Sequence, residues 1–402
     1  MKKTRKSLSI LTAALLLLTL LPVTALAADI EMQNGTGTIT PNISLSTGTV
    51  IGFAGEEWWV IGDGSTGVNP VTGNVTLLVK SAANPTPYGT TLFNSTPNNE
   101  YISSRLLTEM GNIATVIQST SAKEYALITP RATLDGINGA SPANQALWPL
   151  SIAEANDIDN ATVRSYGFYW WLRSPGTTHL AAVVYDLGYV FAFGVDVNIN
   201  NAIRPALNLN LNLTSVLFTS AASGTSGKSA AGGGTLEAAQ PPTGAIKLTV
   251  LDSSLSLSVT DPSARTAAQG GTVSIGYTGA QTGTGRSVSV LICDTSGNPL
   301  YYGRPVDCGC GNASGTAAFT VPAGIPAGSY TLKIFNEEVN GANLTDFAGS
   351  PIDISLTVTA RTIHPVPKTG DNFPFAELTA LMVLFAAGAI GLLIKSRKIK
   401  KV

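Results

Sequence analysis

Several residue groupings in this 402-residue chain have types and spacings that could do chemistry. Gly62-Asp63-Gly64-Ser65-Thr66-Gly67 has the glycine spacing of a dinucleotide-binding turn and follows a β-type run. Such a turn holds pyrophosphate only when a helix opens directly after it, and Val68-Asn69-Pro70 cannot open one. Those six residues read as a glycine-rich turn. Gly227-Lys228-Ser229 looks like the end of a phosphate loop, but Ala222 stands where the first glycine is needed. A serine triad is not available to residues 28–218, which hold His179 alone and no Gly-x-Ser-x-Gly. Zinc at Cys293, Cys308 and Cys310 would need a fourth ligand, and the two histidines, His179 and His364, lie outside residues 245–360. Cys308 and Cys310 sit near or beyond disulfide reach of each other if extended, so a bridge from Cys293 to one of them is easier to build. Asp186 and Asp196 are the nearest carboxylate pair in the central stretch, and they read better as solvated turn residues than as an acid–base pair. No catalytic residue, cofactor or metal is expected.

The richest stretch is residues 170–206. It opens on Trp170-Trp171-Leu172-Arg173-Ser174-Pro175-Gly176 and closes on Ile203-Arg204-Pro205-Ala206-Leu207. Asp186-Leu187-Gly188 supplies a turn, so residues 181–194 are expected to pair as a hairpin. Alternation puts Val183 and Tyr185 on one face and Ala182 and Val184 on the other. Past the turn, Tyr189, Phe191 and Phe193 alternate with Val190 and Ala192, so one face is aliphatic and the other aromatic. Periodicity alone does not decide which face is buried.

The two ends frame this stretch. Lys2, Lys3, Arg5 and Lys6 precede an apolar run over 8–21, and Ala25-Leu26-Ala27 has the form of a signal-peptidase site. Residues 1–27 are thus expected to direct export, with the mature chain starting at Ala28. At the other end stand Val366-Pro367-Lys368-Thr369-Gly370, an apolar run over 378–394, and a basic tail. About 17 apolar residues reach roughly 25 Å as a helix, enough for a thin bilayer. Residues 361–402 resemble the cell-wall sorting signal of Gram-positive bacteria, in which sortase cuts Leu-Pro-x-Thr-Gly and joins the threonine to peptidoglycan; here Val366 replaces the leucine. The resemblance implies sortase and peptidoglycan as partners and a covalent place in the cell wall. The formal net charge of −1 and the lack of a basic patch between the ends exclude nucleic acid.

Elements follow in order. Short β-type runs fill 38–62, where adjacent Trp58 and Trp59 face opposite ways, so at least one anchors a core. A strand is expected over 75–80, a helix over 100–117, and another strand over 125–129. Ser151 and Glu154 form a capping box that opens a short helix through Asn156. Residues 207–218 alternate and are expected to close a sheet on the first strands. Residues 219–244, almost without apolar bulk, read as a flexible linker. Strand runs at 246–250, 255–259, 272–277, 287–293, 317–321, 330–336 and 352–359 suit a β-sandwich over 245–360. Pro326-Ala327-Gly328-Ser329-Tyr330-Thr331-Leu332 resembles the turn into a late strand of immunoglobulin-like stalk domains, which implies a tyrosine packed at a sandwich corner.

Residues 57–61, Leu147-Trp148-Pro149-Leu150-Ser151, Glu154-Ala155, 170–176 and 203–207 together resemble an uncharacterised domain family of Gram-positive gut bacteria. Its signature runs from Trp-Leu-Arg-Ser-Pro-Gly to Val-Arg-Pro-Ala-Leu. The resemblance covers nearly all of residues 30–215 and implies, for 28–218, an α+β fold of C-type-lectin-like form, related to the variable proteins of diversity-generating retroelements. In that family, small aliphatics and glycines hold fixed places between the signatures, here Val184, Gly188, Val190, Gly194, Val197 and Arg204. The interspersed, ligand-facing places fall on Tyr185, Leu187, Tyr189, Phe191, Phe193, Asp196 and Asn200, with Val183 on their face of the hairpin. Lys, Gln, Glu, Met and Trp, which adenine mutagenesis of Asn-type codons does not produce, are absent between Thr177 and Ala202. The expectation is a non-enzymatic, wall-anchored surface protein that binds an unknown extracellular protein or glycan. A surface enzyme acting on glycans or wall polymer is the alternative. Trp170, Trp171, Arg173 and Arg204 are expected to be its frame.

Overall fold

Strands dominate the computed structural model, which describes residues 48–362 apart from 71–72, 81–86, 135–141, 212–215, 223–227, 229, 240–241 and 243. The expected signal peptide and the sortase motif Val366, Pro367, Lys368, Thr369 and Gly370 lie outside the described residues. In chain order the first part holds β1 (Val50–Phe53), β2 (Glu56–Gly62), β3 (Asn74–Val79), β4 (Thr90–Leu92), α1 (Arg105–Thr120), α2 (Ala122–Tyr125), β5 (Arg131–Thr133) and β6 (Ala143–Gln145). There follow α3 (Ile152–Asn156), α4 (Ala161–Arg164), β7 (Trp170–Pro175), β8 (Leu180–Val184), β9 (Val190–Asp196), β10 (Asn200–Ala202), β11 (Ala206–Asn210) and β12 (Val216–Ala221). The remainder is all strand: β13 (Glu237–Ala238), β14 (Ile246–Leu251), β15 (Ser258–Val259), β16 (Arg265–Ala268), β17 (Thr272–Thr278), β18 (Arg286–Cys293), β19 (Pro299–Asp307), β20 (Gly315–Thr320), β21 (Gly328–Glu338), β22 (Asp346–Ala348) and β23 (Ile352–Thr359).

Local chemistry explains the helices. Leu106, Met110, Ile113 and Ile117 are the buried stripe of α1, and the Ser104 side chain caps it by accepting from the Leu107 amide. In α3 both halves of the Ser151–Glu154 capping box form. The strand expected over 125–129 is corrected. Tyr125 ends α2, and only Ile128 makes a β-bridge, to Leu209.

Sheet order is β11-β3-β2-β1-β14-β22-β21-β18-β19-β13, with β12 added on β14, β23 on β21, and β16 on β23. Trp58 of β2 is fully buried and Trp59 half-buried, as their opposite faces require. A five-stranded sheet, β4-β10-β7-β8-β9, carries the central stretch.

The flexible linker expected over 219–244 is corrected at its described residues. Val216–Ala221 pairs antiparallel with β14, while β1 pairs with β14 in parallel through Ile51↔Ile246. Leu248, Val250, Leu255 and Phe347 belong to the same apolar core as Trp58 and Trp170. Leu236 packs with Val273 and Ile275 in a second core, and Lys228 is buried. A composition poor in apolar residues was no bar, because this segment contributes backbone pairing, one buried charge and a few apolar side chains, Leu236 among them, to cores built mostly by others.

The bridge from Cys293 that the spacing makes the easier one to build does not form. Cys293, Cys308 and Cys310 are free thiols. Cys293 ends β18, whereas the Cys308 amide donates to Arg286 at the start of that strand, so the two lie roughly 20 Å apart along it. Burial pushes the Cys293 thiol up to about 12, which suppresses its thiolate. At the expected corner, the Tyr330 hydroxyl donates to the Pro326 carbonyl at 2.8 Å.

Candidate functional site: an aromatic face

The frame is set first. Trp170, Trp171 and Leu172 of β7 are buried, and Trp171 stacks edge-on against Phe93 with its indole N–H on the Thr91 carbonyl at 2.8 Å. Arg204 is fully buried. It donates to the carbonyls of Val79 (3.0 Å), Arg164 (2.6 Å) and Val163 (2.8 Å), and lies over the rings of Tyr166 and Trp170. With carbonyls and ring faces but no carboxylate in that set, burial pushes its guanidinium down to about 9. Arg173 pairs with Glu154, which also receives Arg131 and the Ser151 amide. Burial raises the Glu154 carboxyl, but the hydrogen bonds and charges of Arg173 and Arg131 outweigh it and hold the group below the usual carboxylate range.

On this frame stands the hairpin β8–β9. Its turn closes with Gly188 N–H on the Tyr185 carbonyl (2.8 Å) and Tyr185 N–H on the Tyr189 carbonyl (2.9 Å). Gly188 sits at φ 89°, and a Cβ there would meet the Ala161 carbonyl oxygen at 2.5 Å, so this place takes only glycine. Arg164 Nε donates to the Gly188 carbonyl at 2.8 Å and Ser165 Oγ to the Asp186 carbonyl at 2.6 Å. The turn backbone is thereby clamped to the end of α4 while its side chains point away.

Phe191 lies opposite Val183, which lies opposite Trp171. Further along, Ala181 faces Val195, so residues 192–194 bulge opposite Ala182. The bulge turns on Gly194 at φ 84°, and the Phe193 carbonyl accepts from Thr177 N–H at 2.9 Å. The result is a run of rings. Tyr169 stacks on Tyr185 with centroids 4.5 Å apart, Tyr185 on Phe191 at 5.1 Å, and Phe191 meets Phe193 at 6.1 Å. Leu187 and Tyr189 are each 67% exposed, Phe193 68% and Tyr169 43%.

Of the residues expected to face a ligand, the structure gathers Tyr185, Leu187, Tyr189, Phe191 and Phe193 on this hairpin. Val183 is corrected. It shares their face, but it sits on the central strand between Trp171 and Phe191 and is 0% exposed, so it is core. Asp196 is exposed at the end of β9, where it accepts from the Asn198 amide. Asn200 is exposed on β10 opposite Leu92, with β7 and β8 standing between it and β9. Asp186 lies in the turn before β9 and Asp196 ends that strand, so by strand rise they are roughly 20 Å apart, far beyond the spacing of a glycosidase carboxylate pair. Among the described residues, no three His, Cys, Asp or Glu side chains converge as a metal would require. Tyr169 is the site residue that the sequence reading missed, although it continues the alternation of Trp171 back by one step.

The arrangement offers a run of aromatic rings, partly exposed, on a hairpin whose turn backbone is held by Arg164 and Ser165. Compared with known proteins, the chain matches no family model. No curated protein matches it either.

Proposed function

We propose that this is a wall-anchored surface protein whose lectin-like N-terminal part binds an extracellular ligand through the aromatic face, while the C-terminal β-sandwich, immunoglobulin-like in form, serves as its stalk. One observation carries the reading: the stacked rings of Tyr169, Tyr185 and Phe191, continued by the tilted ring of Phe193 and flanked by exposed Tyr189 and Leu187, on a hairpin whose turn is held by Arg164 and Ser165. Exposed aromatics set on a rigid backbone are the usual anchors of recognition, because they add contact area while losing little rotamer entropy. The partner class that fits is one presenting flat or apolar faces, either sugar rings or apolar protein side chains. Export and anchoring rest on the sequence features of residues 1–27 and 361–402, with Thr369 the residue joined to peptidoglycan by sortase.

The test displays the full chain on a Gram-positive surface and screens it against glycan and extracellular-protein arrays. Binding that disappears in Tyr189→Ser and Phe193→Ser supports the reading; unchanged binding in both rejects it. Thr369→Ala is expected to release the chain from muramidase-sensitive wall material, and its retention there would reject anchoring.

A further inference from the structure

Away from the aromatic face, the junction between β12, β14, β21 and β22 buries four charged side chains together. Lys228, Lys247, Glu337 and Asp346 are each 5% exposed or less. Lys247 is fully engaged as an ammonium: its Nζ donates to the Asn340 carbonyl at 2.7 Å and the Gly341 carbonyl at 3.1 Å, and meets Asp346 Oδ1 at 2.9 Å. Lys228 is held differently. Its Nζ lies 4.2 Å from the Phe218 ring centroid, donates to Thr249 Oγ1 at 2.9 Å, and touches both Glu337 Oε1 and, at 3.0 Å, Asp346 Oδ2.

The two oxygens of Asp346 are unlike. Oδ1 accepts from the Asn340 amide at 2.7 Å and faces the Lys247 ammonium. Oδ2 has no hydrogen bond among the described residues and faces only the Lys228 amine. Glu337 is asymmetric as well. Its Oε2 accepts from Ser289 Oγ and the Tyr302 hydroxyl, each at 2.6 Å, which leaves Oε1 for Lys228. A nucleophile, a carboxyl with one oxygen held by donors and the other able to leave, and a second carboxylate on the nucleophile are the parts of an acyl transfer.

We propose that Lys228 and Asp346 join in an intramolecular isopeptide bond, with Glu337 as the proton carrier. One proton passing from the Lys228 ammonium to Asp346 Oδ2, 3.0 Å away, gives a neutral amine and a neutral carboxylic acid. The Nζ lone pair adds to Cγ, and the charge that develops on Oδ1 is met by Asn340 N–H and Lys247 Nζ. Glu337 takes a proton from Nζ and passes it to the departing Oδ2 hydroxyl. The C–N bond forms, the C–Oδ2 bond breaks, and one water leaves. No oxidant or reductant takes part. Four buried charges become two, Lys247 and Glu337, so the product relieves desolvation that the open form sustains. The bond ties the segment after β12 to β22 and covalently closes the junction.

The test is peptide mapping of the purified full chain by mass spectrometry. The expected result is a branched peptide joining Lys228 to Asp346, lighter by one water than its two linear parts, with no tryptic cleavage after Lys228. Lys228→Ala and Asp346→Ala should each yield linear peptides only, and Glu337→Gln should leave most chains unjoined. Linear Lys228 and Asp346 peptides from folded wild-type protein would overturn the proposal, as would a branch at Lys247. A fully joined Glu337→Gln chain would overturn the role of Glu337. The wild-type map decides the bond by itself, so a variant that fails to fold leaves the test intact.

Discussion

Replacing Val183 and Phe193 in parallel separates core from the proposed binding surface on one face of one hairpin. Val183 is 0% exposed, and its truncation to alanine removes two methyl groups. At about 0.8 kcal/mol each, transfer alone costs about 1.6 kcal/mol. A residual cavity of roughly 50 Å³ adds about 1 kcal/mol, so Val183→Ala is expected to cost about 3 kcal/mol. Phe193 is 68% exposed, and burying about a third of a phenylalanine is worth about 0.5–1 kcal/mol. Its tilted contact with Phe191 adds only about 0.5 kcal/mol, so Phe193→Ala should cost about 1 kcal/mol. Binding should follow the opposite order. Loss of an exposed aromatic anchor costs about 2 kcal/mol, roughly 30-fold in affinity, whereas Val183→Ala in its folded state should bind nearly as the wild type does. Urea unfolding followed by tryptophan fluorescence reads the first pair of values, and titration of an array-identified ligand reads the second. If Phe193→Ala were the more destabilising change, or Val183→Ala alone abolished binding by folded protein, the assignment of these residues would fall.

Two further predictions concern the frame and the junction. Glu154→Ala strands the buried Arg173 charge and removes half a capping box, and is expected to cost about 4 kcal/mol in urea unfolding. Because the folded Glu154 carboxyl is depressed, its contribution is fully present above the unfolded carboxylate range and lost as pH falls through the folded value. Wild type should therefore lose more stability than Glu154→Gln on acidification from neutral pH to about pH 3; parallel acid slopes would contradict this. Strands from both sides of the 219–244 segment share β14 and one core, so calorimetry of the full chain is expected to show residues 48–218 and 245–360 melting in one transition. Two well-separated transitions would show that the shared sheet does not couple them.

The sequence alone carried much of the local structure. Spacing at Ile102, Leu106, Leu107, Met110 and Ile113 placed a helix over 100–117, where α1 runs over 105–120, the pair Ser151 and Glu154 located α3, and Asp186-Leu187-Gly188 located the hairpin turn. These signals are local: a helix stripe, a cap and a glycine at positive φ are written within a few residues. What alternation could not supply was the position of a strand within its sheet. Val183 and Phe193 share the aromatic side of the hairpin, yet one lies on an inner strand and the other on a bulged edge. Tyr169 was missed because its stacking partner, Tyr185, is brought to it only by the pairing of β7 with β8.

The same division holds at long range. Low apolar content made 219–244 read as a tether, and composition contains no record that β12 and β1 both pair with a strand beyond it. Nor could spacing bring Lys228 to Asp346, since their meeting depends on the parallel pairing of β14 with β22. The sequence determined which short segments become strands, turns and helices, because those preferences arise between neighbours along the chain. Tertiary structure decided which aromatic residues stay in water and which charges lose it, because burial depends on partners far away in sequence.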